Sequence, residues 1–205
     1  MKLGFNKYFV AFFAAIQLFT AVPFAVKVSA QSQIQQFDDR VMISLAAHRT
    51  PEQTGVMLFL SNTSKYVNVG VPVALLAGGI ISNDKQMRQN SAYVASSTAI
   101  SVGVMLLLKH LIKRPRPFVQ NINIVPVYMA GGTSFPSGHT STAFSTAMSL
   151  SNAYPKWYVI APSFLWAGSV GYSRMYLGVH YPTDVAAGAA LGTGTALLLQ
   201  PVKRW

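Results

Sequence analysis

Two histidines stand where each could touch a bound anion, and the first lies in the stretch GTSFPSGHTSTAF. Pro136 and Ser137 are helix-start signals, with Ser137 the predicted N-cap, so His139 falls in the first turn. Backbone N–H groups there lack intrahelical partners, and with the helix dipole they form an anion site. Gly138 lets an oxyanion approach the backbone, and His139 can exchange a proton with it. For this segment alone, a capped helix with an interfacial histidine is the alternative.

The second histidine is followed by a carboxylate at helical spacing. Asp184 comes four residues after His180, with Pro182 near the first helical turn. At that spacing Asp184 can accept a hydrogen bond from one ring nitrogen of His180, which leaves the other as an oriented, more basic lone pair. The pattern predicts a catalytic dyad with His180 as nucleophile, although a structural pair is its commoner meaning. Arg174 is close enough in sequence to share the pocket.

A basic segment supplies the charges that a phosphate group requires. In KHLIKRPRP, residues 109–117, Lys109 and Arg116 lie beside two prolines that stiffen the loop. Arginine binds phosphate through two parallel hydrogen bonds and lysine binds it as a point charge. We expect Lys113 and Arg114 to face solvent or lipid headgroups instead.

Carboxylates are too few for a metal-dependent phosphatase. From Lys85 to the C-terminus, Asp184 is the one acidic residue, against ten lysines and arginines. Divalent metal ions in such enzymes need several oxygen ligands. The absence of cysteine also excludes thiolate metal sites. We therefore expect metal-independent chemistry and no cofactor.

Apolar stretches separate these segments and must position them. The chain is 51% hydrophobic and 10% charged, which is unusual for a soluble domain. Each stretch is near the lower limit of about 17 residues for crossing a bilayer, and small residues, as in GAALG at 188–192, allow close helix packing. We predict an all-α, membrane-embedded bundle of about five transmembrane helices, with a compact soluble helical bundle as the alternative. The five stretches are roughly 66–82, 91–108, 136–154, 157–173 and 184–201.

The first thirty residues are typical of an export signal. Lys2 and Lys7 precede a long apolar stretch, and small residues come just before Gln31. Because the stretch is long and Lys27 interrupts its end, an uncleaved N-terminal anchor is the alternative.

The region between this leader and the first apolar stretch is polar and turn-rich. Apolar residues at helical spacing predict an amphipathic helix over 31–50, and RTPEQTG at 49–55 and SNTSK at 61–65 predict linkers. The predicted organisation is thus a signal or anchor over 1–30, an amphipathic and linker segment over 31–65, and the bundle over 66–205.

Alternating spans would place all the chemical segments on one side of the membrane. If Gln31 emerges outside and every stretch spans, then 109–135 and 174–183 lie outside. The inside segments carry basic residues, as the positive-inside rule expects. The basic cluster at 109–116 breaks that rule, which indicates a purpose other than topology; the alternative is that the count of spans is off by one.

Taken together, the motifs resemble those of the type 2 phosphatidic acid phosphatase superfamily, whose signature is K-x6-RP, PSGH and SR-x5-H-x3-D. KHLIKRPRP, PSGH at 136–139 and SRMYLGVHYPTD at 173–184 match every motif position, in order and in spacing. The resemblance covers about 109–184. Three such motifs together are highly specific.

The resemblance implies roles for the matching residues. His180 would attack phosphorus and form a phosphohistidine, and Asp184 would orient it. His139 would protonate the leaving oxygen and then activate water. The implied phosphate-binding residues are Lys109, Arg116, Ser137, Gly138 and Arg174.

The function we predict is metal-independent hydrolysis of a lipid phosphate or diphosphate at the periplasmic face of a bacterial inner membrane. The family includes enzymes for phosphatidic acid, phosphatidylglycerol phosphate, undecaprenyl diphosphate and lipid A phosphates, and the sequence does not select among them. Alternatives are a soluble secreted acid phosphatase of the same superfamily, a vanadate-dependent haloperoxidase and a non-catalytic membrane protein. The partners expected are the lipid substrate and membrane lipids, without nucleic acid, and no protein partner can be inferred.

Overall fold

The computed structural model describes residues 24–200, with side chains from residue 33 onward, and all its regular elements in that range are α-helices. The chain divides into two compact units, Met1–Asp38 and Asp39–Trp205, and the site described below lies within the second. The predicted export signal falls mostly outside the described residues. The helices are α1 Phe24–Ala47, α2 Pro51–Ile81, α3 Lys85–Ile112, α4 Pro117–Gln120, α5 Gly138–Ala153, α6 Trp157–Tyr176 and α7 Pro182–Leu199.

The predicted all-α fold is confirmed, and α2, α3, α5, α6 and α7 each cover most or all of one of the five predicted apolar stretches. Within the described residues, two segments are long and apolar enough to cross a membrane, namely Pro51–Ile81 and Lys85–Gln120. Large apolar side chains on both are exposed, among them Phe59 at 66% and Leu107 at 57%. The number of spans remains a prediction.

Helix α2 begins earlier than predicted, so the linker expected at 49–55 is reduced to a short break at 48–50, and the linker expected at 61–65 is wrong. Thr50 caps the helix by accepting a hydrogen bond from the N–H of Gln53 at 3.3 Å. Ser61 and Ser64 are buried in mid-helix, and the Ser64 hydroxyl donates to the Ser61 carbonyl at 2.8 Å. Short polar side chains satisfied in this way do not force a turn.

Helices α5 and α7 approach most closely, and glycines of the GAALG stretch make this possible. A Cβ atom on Gly188 would lie 2.6 Å from the Ser137 carbonyl oxygen, and one on Gly192 would lie 2.1 Å from that of Ser141. Both distances are impossible for real atoms, so no other residue fits there without movement of the backbone. The Ser137 N–H also donates to the carbonyl oxygen of Asp184 at 3.0 Å. The first turns of the two helices are therefore held together.

Short turns at 82–84 and 154–156 reverse the chain between α2 and α3 and between α5 and α6. The C-terminal ends of α3 and α6 consequently lie at the same end of the bundle as the N-terminal ends of α5 and α7. The three motifs lie at those four helix ends, so the fold brings them together as predicted.

Candidate active site

A pocket of about 600 Å³ opens at this end of the bundle. Side chains from all three motifs line it together with one wall from α2. A smaller apolar groove of about 330 Å³ between α2 and α6 contains none of the predicted site residues. Six of the eight predicted residues line the larger pocket, namely Lys109, Arg116, Gly138, His139, Arg174 and His180.

His180 lies in the turn between α6 and α7 and is 2% exposed. Its Nδ1 is 3.6 Å from Oδ2 of Asp184, beyond hydrogen-bond contact, and has no hydrogen-bond partner among the described residues. Its Nε2 is 3.4 Å from Nη1 of the pocket residue Arg116. His180 and Asp184 are therefore neighbours with Nδ1 towards the carboxylate, but the hydrogen bond predicted between them is not formed in this structure.

Burial sets the protonation state of His180. Loss of hydration lowers the pKa of His180 to about 4, because water no longer stabilises the charged ring. The Asp184 carboxylate acts in the opposite direction, while Arg174 and Arg116 add to the lowering. The ring is therefore neutral at neutral pH, which is the state that a nucleophile requires.

Asp184 is fully buried and is fixed by several donors. Oδ2 accepts the N–H of Tyr181 at 2.9 Å and the hydroxyl of Ser134, while Oδ1 accepts from Nη1 of Arg114 at 2.9 Å. These contacts hold the carboxylate behind His180 and outside the pocket lining, as an orienting group would be held.

Arg114 occupies a different position from the one predicted, and the expectation that it faces solvent or lipid is wrong. Its side chain is 18% exposed, donates to Thr183 Oγ1 at 2.7 Å, and stacks 4.0 Å from the Tyr181 ring centre. Its neighbour Lys113 is exposed and ends α3 in a left-handed conformation with φ of 50°. Lys113 and Arg114 are adjacent in sequence, so their different environments could not be predicted from it.

The start of α5 agrees with the prediction in part. The helix begins at Gly138, with Ser137 as N-cap and His139 in the first turn. The Ser137 hydroxyl is hydrogen-bonded to that of Thr140 at 2.8 Å, and its N–H is already bonded to Asp184. Gly138 and His139 line the pocket and Ser137 does not. The phosphate-binding role of Ser137 remains a prediction that these contacts do not support.

The loop between α4 and α5 and the turn between α6 and α7 hold two of the predicted cations. The Lys109 ammonium donates to the Thr133 carbonyl at 2.5 Å. The Arg116 guanidinium donates to the carbonyls of Gly131 and Val179, each at 2.7 Å. Arg116 also donates from Nε to the Gly132 carbonyl and from Nη1 towards His180, and Lys109 donates to the Ser134 carbonyl. Since arginine has five N–H donors and lysine three, each side chain keeps one donor for a ligand.

Arg174 is the third cation and is 2% exposed. Its Nη1 donates to the hydroxyl of Ser61, and its guanidinium carbon lies 5.8 Å from the ring centre of Tyr128. Its Nε has no hydrogen-bond partner among the described residues. A buried cation with an unused donor beside the pocket is suited to hold an oxyanion.

Sequence reasoning missed the wall that α2 contributes. Ser64, Lys65 and Asn68 line the pocket, and the Asn68 amide donates to Thr142 Oγ1 in α5 at 2.9 Å. The signal that could have found them is spacing, because Ser61 and these three recur at i, i+3, i+4 and i+7 on one helical face. No three His, Cys, Asp or Glu side chains cluster as metal ligands in the part of the chain that the structure describes.

Comparison with known sequences locates the motifs within one family. Residues 90–205 match the sequence model of the PAP2 superfamily. The Escherichia coli protein YbjG is 34% identical over 113 residues, 51% of this chain and 52% of its own length, so this match spans about half of that relative. An undecaprenyl-diphosphatase of Sulfolobus acidocaldarius is 29% identical over 199 residues, 94% of this chain and 90% of its own. A lipid A 4'-phosphatase of Bacteroides thetaiotaomicron is 38% identical over 76 residues, 37% of this chain and 34% of its own.

Solved structures share the fold. Aquifex aeolicus LpxE matches with a TM-score of 0.67 and 25% identity, over 79% of this chain and 93% of its own. A transmembrane PAP2-type phosphatidylglycerolphosphate phosphatase of Bacillus subtilis matches with a TM-score of 0.67 and 24% identity, over 97% of this chain and 96% of its own, a likeness of fold alone. Because the family model spans more than half of the chain and includes all three motifs, this protein belongs to the PAP2 superfamily.

Proposed function

We propose that this protein, a phosphatase of the PAP2 superfamily, hydrolyses the terminal phosphate of a membrane lipid phosphate through a phosphohistidine on His180. The observation that carries the proposal is one pocket lined by His139, His180 and four cationic side chains, which are those of Lys65, Lys109, Arg116 and Arg174. Relatives named for lipid A and undecaprenyl diphosphate support a lipid phosphate as substrate.

His180 has the geometry of the nucleophile. With its proton on Nδ1, towards Asp184, Nε2 carries a lone pair on the Arg116 side of the ring. Nε2 forms a bond to phosphorus while the bond from phosphorus to the leaving oxygen breaks and its electron pair stays with that oxygen. His139 lines the same pocket; the negative charge of the bound phosphate favours its protonated ring, which supplies the proton that the leaving lipid oxygen takes.

The second half of the reaction restores the enzyme. His139, now neutral, accepts a proton from a water molecule whose oxygen attacks the phosphohistidine. The bond between phosphorus and nitrogen breaks, its electron pair returns to Nε2 of His180, and inorganic phosphate leaves. Lipid phosphate and water are consumed, and lipid alcohol and phosphate are formed.

Fixed positive groups stabilise the transition state. Charge spreads over the three equatorial oxygens during phosphoryl transfer. Lys109, Arg116 and Arg174, with the N–H groups at the start of α5, are held in place before the substrate arrives, so they need no reorganisation. Phosphate-ester hydrolysis is extremely slow without catalysis, and we attribute most of the acceleration to this cradle.

The exposed surface supports a membrane location over a soluble secreted phosphatase. Bulky apolar side chains cover α2 and α3, with Val69 at 64% and Leu111 at 66% exposure, and a soluble monomer rarely presents such a continuous apolar surface. The far end of the bundle carries Lys85, Arg88 and Lys156. By the positive-inside rule these charges support a cytoplasmic location for that end, and we propose that the pocket faces the periplasm from the inner membrane.

Substitution of the nucleophile tests the proposal. In detergent-solubilised protein, His180→Ala should lower phosphate release from lipid phosphates about a thousandfold or more. His110→Ala is the matched control, because His110 is exposed on α3 and does not line the pocket. Wild-type turnover in a folded His180→Ala protein would refute the mechanism.

A further inference from the structure

Helix α2 brings a polar face to the pocket from outside the family-matched residues 90–205. Ser61, Ser64, Lys65 and Asn68 lie on this face at helical spacing, and the last three line the pocket. Elsewhere α2 is predominantly apolar, so this polar face is confined to the part of the helix beside the pocket.

Two hydrogen bonds fix this face against the pocket. On one side of Lys65, the Ser61 hydroxyl accepts a bond from Arg174. On the other side, Asn68 donates to Thr142 at 2.9 Å, in the first turns of α5. Lys65 lies four residues after the first anchor and three before the second, so its place at the pocket is set by the packing of α2.

Lys65 differs from the other cations of the pocket. Lys109 and Arg116 donate to backbone carbonyls, whereas the Lys65 ammonium lies 4.9 Å from the ring centre of the exposed Tyr66. Its ammonium has no hydrogen-bond acceptor within residues 24–200. It is also exposed, and no charged residue follows it in α2, where a charge next to lipid needs a partner.

We propose that Lys65 binds the second, uncleaved phosphate of a lipid diphosphate, and that it selects diphosphates over monophosphates. The inference rests on the proposed function. The cradle of Lys109, Arg116 and Arg174 holds the terminal phosphate, and a diphosphate brings further negative charge beyond it. Lys65, a flexible side chain with three free donors on the α2 wall, binds this second phosphate through its positive charge.

A lipid diphosphate is hydrolysed in two steps. Nε2 of His180 attacks the terminal phosphorus, and the bond from that phosphorus to the bridging oxygen breaks. The electron pair stays on the bridging oxygen of the departing lipid monophosphate, whose charge Lys65 neutralises. Water then releases inorganic phosphate from His180, so diphosphate and water give monophosphate and phosphate.

A pair of substrates with one lipid chain tests the role of Lys65. Farnesyl diphosphate and farnesyl phosphate would be assayed with wild type, Lys65→Met and Lys65→Arg in detergent. Lys65→Met should lower kcat/KM for the diphosphate about tenfold or more and change that for the monophosphate less than about twofold, with Lys65→Arg close to wild type. Lys113→Asn is the control: it removes an exposed charge beyond the pocket, and asparagine tolerates the left-handed backbone there.

The ratio of the two kcat/KM values distinguishes the possible failures. If Lys65→Met lowers both substrates equally, or neither, in an enzyme whose activity depends on His180, the role of Lys65 is overturned and the proposed function stands. If wild type releases phosphate from neither substrate nor from other lipid phosphates, the proposed function is overturned and the Lys65 proposal with it.

Discussion

The first turns of α5 and α7 contrast with the α2 wall that faces the same pocket. Near α7, His180 is 2% exposed and Asp184 is 0% exposed, and several donors fix the carboxylate. On α2, Lys65 is exposed beside Tyr66, which is itself 67% exposed. The reacting groups are thus held by packing, whereas the recognition group we propose is free to move, so its replacement should leave the fold intact.

The largest effect on stability and activity is expected at the glycine contact between α5 and α7, which holds the first turns of these helices together. Gly192→Ala should destabilise the protein by about 3 kcal/mol or more and abolish activity, because its Cβ would lie 2.1 Å from the Ser141 carbonyl oxygen. Thermal unfolding in detergent would measure the effect. Gly194→Ala, in the same helix with open space around it, should be neutral or stabilising by up to about 1 kcal/mol. Similar midpoints for the two variants would contradict the close approach.

A smaller effect is expected where the buried carboxylate meets Arg114. Arg114→Met removes one donor to Asp184 and should destabilise the fold by about 1–3 kcal/mol. Turnover should fall roughly tenfold to a hundredfold as the carboxylate loses its fixed position behind His180. Both would be measured beside Lys113→Asn, which should retain wild-type values. Equal stability and equal turnover of the two variants would show that the contact between Arg114 and Asp184 contributes to neither.

A further effect should appear in the pH dependence of stability. The pKa of His180 is lowered to about 4 in the folded protein, against 6.5 ordinarily. Between these values the unfolded chain binds a proton at His180 that the folded protein does not, so stability falls as pH decreases from 6.5 towards 4. His180→Asn should flatten this slope in thermal unfolding experiments, and Lys65→Met should leave it unchanged. A wild-type slope in His180→Asn would show that the buried ring is not its source.

Local sequence predicted the helices best where apolar runs were long, and it failed where polar residues lay inside a helix. SNTSK at 61–65 has the composition of a turn, yet Ser61 and Ser64 are buried in mid-helix and bonded there. Contacts between helices overrode local preference at these positions. The site shows the same limit, because Ser137 was placed correctly as an N-cap while its bonding to Thr140 and Asp184 depends on how α5 packs against α7.

The sequence by itself determined the chemical groups of the motifs: the histidines His139 and His180, the carboxylate Asp184 and a set of cations at characteristic spacing. It also determined the apolar stretches that become helices, because both features depend on residues close together in the chain. Only the tertiary structure decided that Arg114 would support Asp184 and that Lys65 would reach the pocket. Those placements depend on side chains about 70 residues or more from their neighbours in sequence, and helix packing alone sets such distances.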